Sequence, residues 1–104
     1  MTALTASLSC LMHLLNNEQM ISALQHLPDW HLHNGELTKT FTFPDFNAAF
    51  AFMTRVAMIA EKLDHHPDWS NSFNIVKIAL ISHAKGGLTA RDTELAMAIE
   101  KLFE

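Results

Sequence analysis

Trp30-His31-Leu32-His33-Asn34-Gly35-Glu36-Leu37-Thr38-Lys39-Thr40-Phe41-Thr42-Phe43 is the stretch that decides the fold. Asn34-Gly35 is a tight-turn pair, because both residues tolerate positive φ. On one side of it Trp30 and Leu32 alternate with His31 and His33. On the other side Leu37, Lys39, Phe41 and Phe43 alternate with Thr38, Thr40 and Thr42. A period of two with one apolar face and one threonine-rich face describes a β-hairpin buried on one side. His31 and His33 then fall on the solvent face.

Outward from the hairpin, the pattern changes to a helical one. Asn17 caps a short helix carrying Met20, Ile21, Leu24 and Leu27, which Pro28 stops. After the hairpin, Pro44-Asp45 opens a long helix over about Asp45–Asp64. Its stripe is Phe46, Ala49, Phe50, Met53, Val56, Ala57, Ala60 and Leu63, with Phe52, Met58 and Ile59 partly outside it. A helix covering a core needs only one apolar stripe. The surplus predicts a second packing surface, most simply a subunit interface. Pro67 disfavours helical ψ at His66, so the helix ends there. A strand over Trp69–Phe73, a turn or bulge at Asn74-Ile75 and a strand over Val76–His83 follow. The last strand is apolar on both faces, as a central strand would be. Lys85-Gly86-Gly87 is a loop, and Thr89 caps a final helix running toward Phe103.

Leu27-Pro28-Asp29-Trp30 and His66-Pro67-Asp68-Trp69 each open a strand–strand–helix unit. The echo predicts an α+β, two-layer domain. Its ββαββα core, a four-stranded antiparallel sheet with helices on one face, is preceded by a short helix. The chain has 104 residues, 49% of them hydrophobic, with only three glycines and three prolines. That composition fits one domain and excludes collagen-like, low-complexity and disordered classes. Residues 1–15 read as an N-terminal extension and 16–104 as the single domain. A formal charge of -4 disfavours a nucleic-acid partner, which calls for a basic face. No apolar run reaches the ~20 residues of a membrane span. Leu8–Leu15 is a poor secretion signal, since no Lys or Arg precedes it. The single cysteine, Cys10, excludes an internal disulfide framework and fits a reducing, cytoplasmic setting.

Glu61, His65, His66, Pro67, His83 and Asp92 form the chemical constellation. Glu61 and His65 are four apart, which places them side by side on one helical face. A carboxylate there orients an imidazole and favours its charged form. His65 and His66 sit where the helix stops, and His83 at a strand end, where sites are commonly built. Three imidazoles in one cleft supply an acid, a base and a polar anchor near neutral pH. Each residue also has a purely structural reading. Glu61 can be a solvated helix residue, His65 a helix C-cap, His66 a turn residue and His83 a paired strand-end residue. Asp92 lies three after Thr89, in a near capping box, Thr89-Ala90-Arg91-Asp92. Three histidines and an acid can also hold zinc. The chain has no His-Glu-x-x-His helix, and adjacent His65-His66 is awkward for joint chelation, so no metal is expected. Gly86-Gly87 lacks the length and the Lys-Ser/Thr of a phosphate-binding loop.

The spacing Glu61-x3-His65-His66-Pro67-x5-Phe73-x9-His83-x8-Asp92 resembles the pterin-4a-carbinolamine dehydratase family. Asp45-Phe46-Asn47, Phe52–Ala57 and Leu88–Asp92 carry the same resemblance, which spans about Asn17–Leu102. It implies a hydro-lyase that converts 4a-hydroxytetrahydropterin to quinonoid dihydropterin and water, recycling pterin after an aromatic amino-acid hydroxylase. It implies no metal and no cofactor, the pterin being the substrate, and a homodimer or homotetramer. Its three active-site histidines fall on His65, His66 and His83. On that basis His65 is the acid/base at the hydroxyl, His83 its complement, and His66 the residue that polarises the pterin. Glu61 then orients an imidazole, while Asp92 holds the loop. The resemblance also leaves a rival open, since some relatives act as non-enzymatic dimerisation cofactors of a transcription factor.

Overall fold

The computed structural model describes residues 13–103. The expectations for Cys10 and for most of the extension fall on residues 1–12, outside the described residues. Helix α1 spans Asn17–Leu24, and Asn16, not Asn17, is its N-cap. Asn16 Oδ1 accepts from the Gln19 N–H, and Gln19 Oε1 accepts from the Asn16 N–H, a reciprocal capping box. The hairpin follows as β1 (His31–His33) and β2 (Glu36–Thr42). Asn34 and Gly35 both take positive φ, 51° and 79°, as the tight turn requires. Leu37, Lys39 and Phe41 are buried. Leu32, expected on the apolar side, is largely exposed, because β1 is a short edge strand.

Helix α2 spans Phe46–Leu63, capped by Asp45, whose Oδ1 accepts from the Ala48 N–H at 2.8 Å. Ala49, Phe52, Val56 and Ala60 form its buried seam. This corrects the expected stripe: Phe52 is in the core, while Phe46 and Phe50 lie exposed with their rings 5.6 Å apart. Strands β3 (Asp68–Ser72) and β4 (Ile75–Leu80) follow. The turn between them is Phe73-Asn74, with Phe73 at φ 53°, and Ile75 already belongs to β4. The Asn71 side-chain amide donates to the carbonyls of Phe73 and Ile75 and holds this turn. A 3₁₀ turn over His83–Lys85 leads to helix α3, Ala90–Phe103.

The sheet order is β1-β2-β4-β3, with every neighbour antiparallel. The second strand of each half is therefore central, as the two apolar faces of the last strand imply for β4. Leu37 pairs with Leu80 and Phe41 with Val76, placing these side chains on one face of the sheet. Both long helices cover that face, so the domain has two layers. Phe41, Phe43, Phe52 and Phe103 stack at centroid distances of 4.9–6.0 Å across the layer boundary. Lys39, the one charged residue on the apolar face of β2, is paired with Glu100 of α3 at 2.5 Å. Trp30 Nε1 donates to the same carboxylate at 2.7 Å. A buried charge needs such partners to offset its desolvation.

Candidate active site

The end of α2 is where the site begins. Asp64 takes the left-handed conformation, φ 53°, and closes the helix. The Asp64 N–H donates to Glu61 O and the His65 N–H to Ala60 O, the paired bonds of a Schellman ending. The chain leaves the helix axis there, so the four-residue rule no longer governs His65. As a result Glu61 meets His66 (2.8 Å) rather than His65. The expected Glu61–His65 pair does not form.

The partner of His65 is Asp92 of α3. His65 Nε2 lies 2.6 Å from Asp92 Oδ1, with the histidine side chain 11% exposed and the aspartate 0%. Asp92 Oδ2 accepts from Ser82 Oγ at 2.8 Å and from the Thr89 N–H at 2.9 Å. The Ser82 proton is thus committed to Asp92, so the Thr89 hydroxyl donates to Ser82 Oγ, 2.8 Å away. Thr89 Oγ1 in turn accepts from the Arg91 N–H. The capping expectation for Thr89 and Asp92 and the site expectation for Asp92 thus describe one arrangement. One carboxylate oxygen caps α3 and the other holds an imidazole. Because an ionised carboxylate only accepts, Nε2 of His65 carries the hydrogen and Nδ1 of the neutral ring has the lone pair.

His83 lies past the end of β4, in the 3₁₀ turn, and not on the strand where it was expected. Gly86, at φ 69°, closes that turn, and Ser82 pairs with Gly87 across its base. His83 Nε2 sits 2.9 Å from Asp68 Oδ2, with side-chain exposures of 72% and 55%. The His66–Glu61 pair is likewise open, at 57% and 81%. His65, His66 and His83 line one cavity of about 340 Å³ together with Ser82, Lys85 and Arg91. Arg91 is tied to the helix end by a bond from Nη1 to Asp64 O at 3.1 Å. Glu61, Asp92 and Pro67 stand behind this lining: the two acids hold histidines, and Pro67 joins His66 to β3.

Three contributors were not singled out from the sequence as site residues. Ser82 gives no signal apart from proximity to His83, while Arg91 falls within the Leu88–Asp92 segment that carries the family resemblance. Asp68 follows Pro67 directly and belongs to the echoed Pro-Asp-Trp, which was the available clue. Among the described residues, no group of three or more His, Cys, Asp or Glu side chains is placed to hold a metal ion. Nor is any helix among them long and apolar enough to cross a membrane.

The site is thus a histidine-lined cavity at the junction of α2, β4 and α3 in a two-layer α+β domain. The profile described as pterin 4 alpha carbinolamine dehydratase covers residues 13–102. This chain belongs to the pterin-4a-carbinolamine dehydratase family. It is 55% identical over 92 residues to a Rhizorhabdus wittichii protein assigned as a pterin-4-alpha-carbinolamine dehydratase, covering 86% of this chain and 95% of that one. A Prochlorococcus marinus protein assigned likewise is 47% identical over 90 residues, covering 86% and 95%. Among solved structures, a transcriptional coactivator/pterin dehydratase from Brucella melitensis superposes with a TM-score of 0.83 at 37% identity, covering 86% of this chain and 98% of that one. A pterin dehydratase-like RuBisCO assembly factor of the alpha-carboxysome shares the fold, with a TM-score of 0.63 at 22% identity.

Proposed function

We propose that this chain is a hydro-lyase that dehydrates 4a-hydroxytetrahydropterin to quinonoid dihydropterin and water. The observation that carries this reading is the His65–Asp92 pair at the wall of a cavity lined by two further histidines. Family membership supplies the substrate class. The reaction breaks the C4a–OH bond and the N5–H bond, and forms the C4a=N5 double bond. The oxygen leaves as water, and no atom is oxidised or reduced by an outside partner. The step therefore asks for proton transfer and orientation alone, which imidazoles supply in general acid–base catalysis.

His65 gives a proton to the departing hydroxyl, and Asp92 stabilises the imidazolium form from which that proton comes. His83 takes the N5 proton. His66, steadied by Glu61, binds and polarises the ring. Electrons move from the N5–H bond toward C4a as the hydroxyl leaves, so acid and base act on one connected system. Each well-placed proton-transfer group contributes about 10²–10⁴-fold. Residues 16–104 serve as the catalytic domain. Residues 1–15 form an extension whose Leu15 N–H bonds to Leu88 O at 2.8 Å.

The protein acts in the cytoplasm, in pterin recycling after an aromatic amino-acid hydroxylase, as a homodimer or homotetramer. Exposed Phe46, Phe50 and Met58 on α2 support the oligomer. The same face favours a second reading, a dimerisation or protein-interaction role, in line with the coactivator description of the Brucella protein. The test is the formation of quinonoid dihydropterin from freshly generated 4a-hydroxytetrahydropterin, with a metal chelator present and His83→Ala as control. A wild-type rate well above the spontaneous one, cut in the variant, supports the enzyme. A folded wild-type protein with no rate above background puts the interaction role first.

A further inference from the structure

We infer that Asp68 is a positioning residue for His83, working from the open face of the sheet. His83 has no buried carboxylate of the kind that holds His65. Its backbone is secured by the 3₁₀ turn, with Gly86 N–H bonds to Ser82 O and His83 O and the Ser82–Gly87 bridge. None of these contacts touches the imidazole, which is mostly in solvent. A ring on such a turn rotates freely unless a side chain stops it.

Asp68 is the side chain that stops it. It is the first residue of β3 and pairs with Ala79 of β4, whose methyl group leaves the open face clear beside it. The same face carries a groove of about 580 Å³ lined by His33, Thr38, Thr40, Ser70 and Lys77, so groups other than His83 are near. Lys77 stands opposite Ser70 rather than Asp68. Among the described residues, the one ion-pair partner of Asp68 is His83, at 2.9 Å. A carboxylate accepts at that nitrogen, so Nε2 carries the hydrogen and Nδ1 is left as the proton acceptor. His65 and His83 are then held in the same tautomer by carboxylates from opposite faces of the sheet.

This inference rests on the dehydratase reading for its effect on rate, but its effect on the ring is independent of that reading. The experiment compares wild type with Asp68→Ala, Asp68→Glu and Ser70→Ala, a neighbour on the same face. Steady-state dehydration is measured beside the ring ¹⁵N chemical shifts of His83. Asp68→Ala, which leaves no acceptor at that nitrogen, lowers kcat about tenfold, with KM within about twofold. It also shifts the His83 ring signals away from the pattern with Nε2 protonated. Asp68→Glu restores both, because this exposed site admits one more methylene, and Ser70→Ala changes neither. Unchanged ring signals in Asp68→Ala overturn the inference whatever the rate does, and so does an unchanged kcat beside wild-type turnover. If wild type itself shows no turnover, the dehydratase reading falls, and the ring signals alone decide whether Asp68 sets the tautomer.

Discussion

His65–Asp92 and His83–Asp68 are the same chemical pair built in opposite surroundings. The first is enclosed between α2 and α3, and its carboxylate also accepts from Ser82 and the Thr89 N–H. The second lies in solvent at the start of β3 and has a single contact. A buried carboxylate with several donors cannot lose one without leaving a polar group unpaired, which costs about 3–5 kcal/mol when the pair is broken outright. An exposed pair contributes about 0.2–1 kcal/mol, because water replaces either partner. One histidine is thus fixed by the fold itself, while the other is steered at little cost to stability. If both aspartates serve the reaction as proposed, substitution couples activity to stability at Asp92 and separates them at Asp68.

That contrast orders the expected effects of substitution. Asp92→Ala has the largest. It removes the cap of α3 and the partner of His65 together, costing about 3 kcal/mol or more. For a domain of this size, that is a fall in Tm of more than ~10 °C. A melting curve matching wild type would break the contrast. His83→Ala comes next, lowering turnover about 10²-fold or more while Tm stays within a few degrees, since the ring packs against little. Equal unfolding of this variant and Asp92→Ala would erase the difference between the two regions. Ser82→Ala removes one of the donors to Asp92 and is expected to cost about 1–2 kcal/mol, read as a shift in denaturant midpoint. Glu61→Gln is smallest, under about 1 kcal/mol in stability, because its pair with His66 is open. A loss in Glu61→Gln as large as in Ser82→Ala would mean that exposure does not set the scale.

The fold was legible where local chemistry and tertiary structure agree. Asn34-Gly35 and the alternation from Leu37 to Phe43 give the hairpin and its face, and even Lys39 obeys the parity by finding Glu100. Asp45 and Asp64 bound α2 as its sequence implies. The buried side of α2 was only partly legible. Its phenylalanines point in several directions, and only the sheet decides that Phe52 is inside and Phe46 and Phe50 are outside. The candidate residues were legible by type and spacing, but their pairing was not. Glu61 and His65 keep helical spacing in the sequence, yet Asp64 turns the chain between them, so Glu61 meets His66. The partners of His65 and His83 are 27 and 15 residues away, a separation that no local rule predicts.

The most direct test is the dehydration rate of Asp92→Asn, measured beside its Tm. Asparagine keeps the volume and one carbonyl oxygen for Ser82 and the Thr89 N–H. It turns an N–H₂ donor toward His65 and so favours the opposite tautomer. Turnover is expected to fall about 10²-fold or more in a variant still folded at the assay temperature. Turnover within about twofold of wild type, from a folded Asp92→Asn protein, would contradict the claim that Asp92 sets the state of His65.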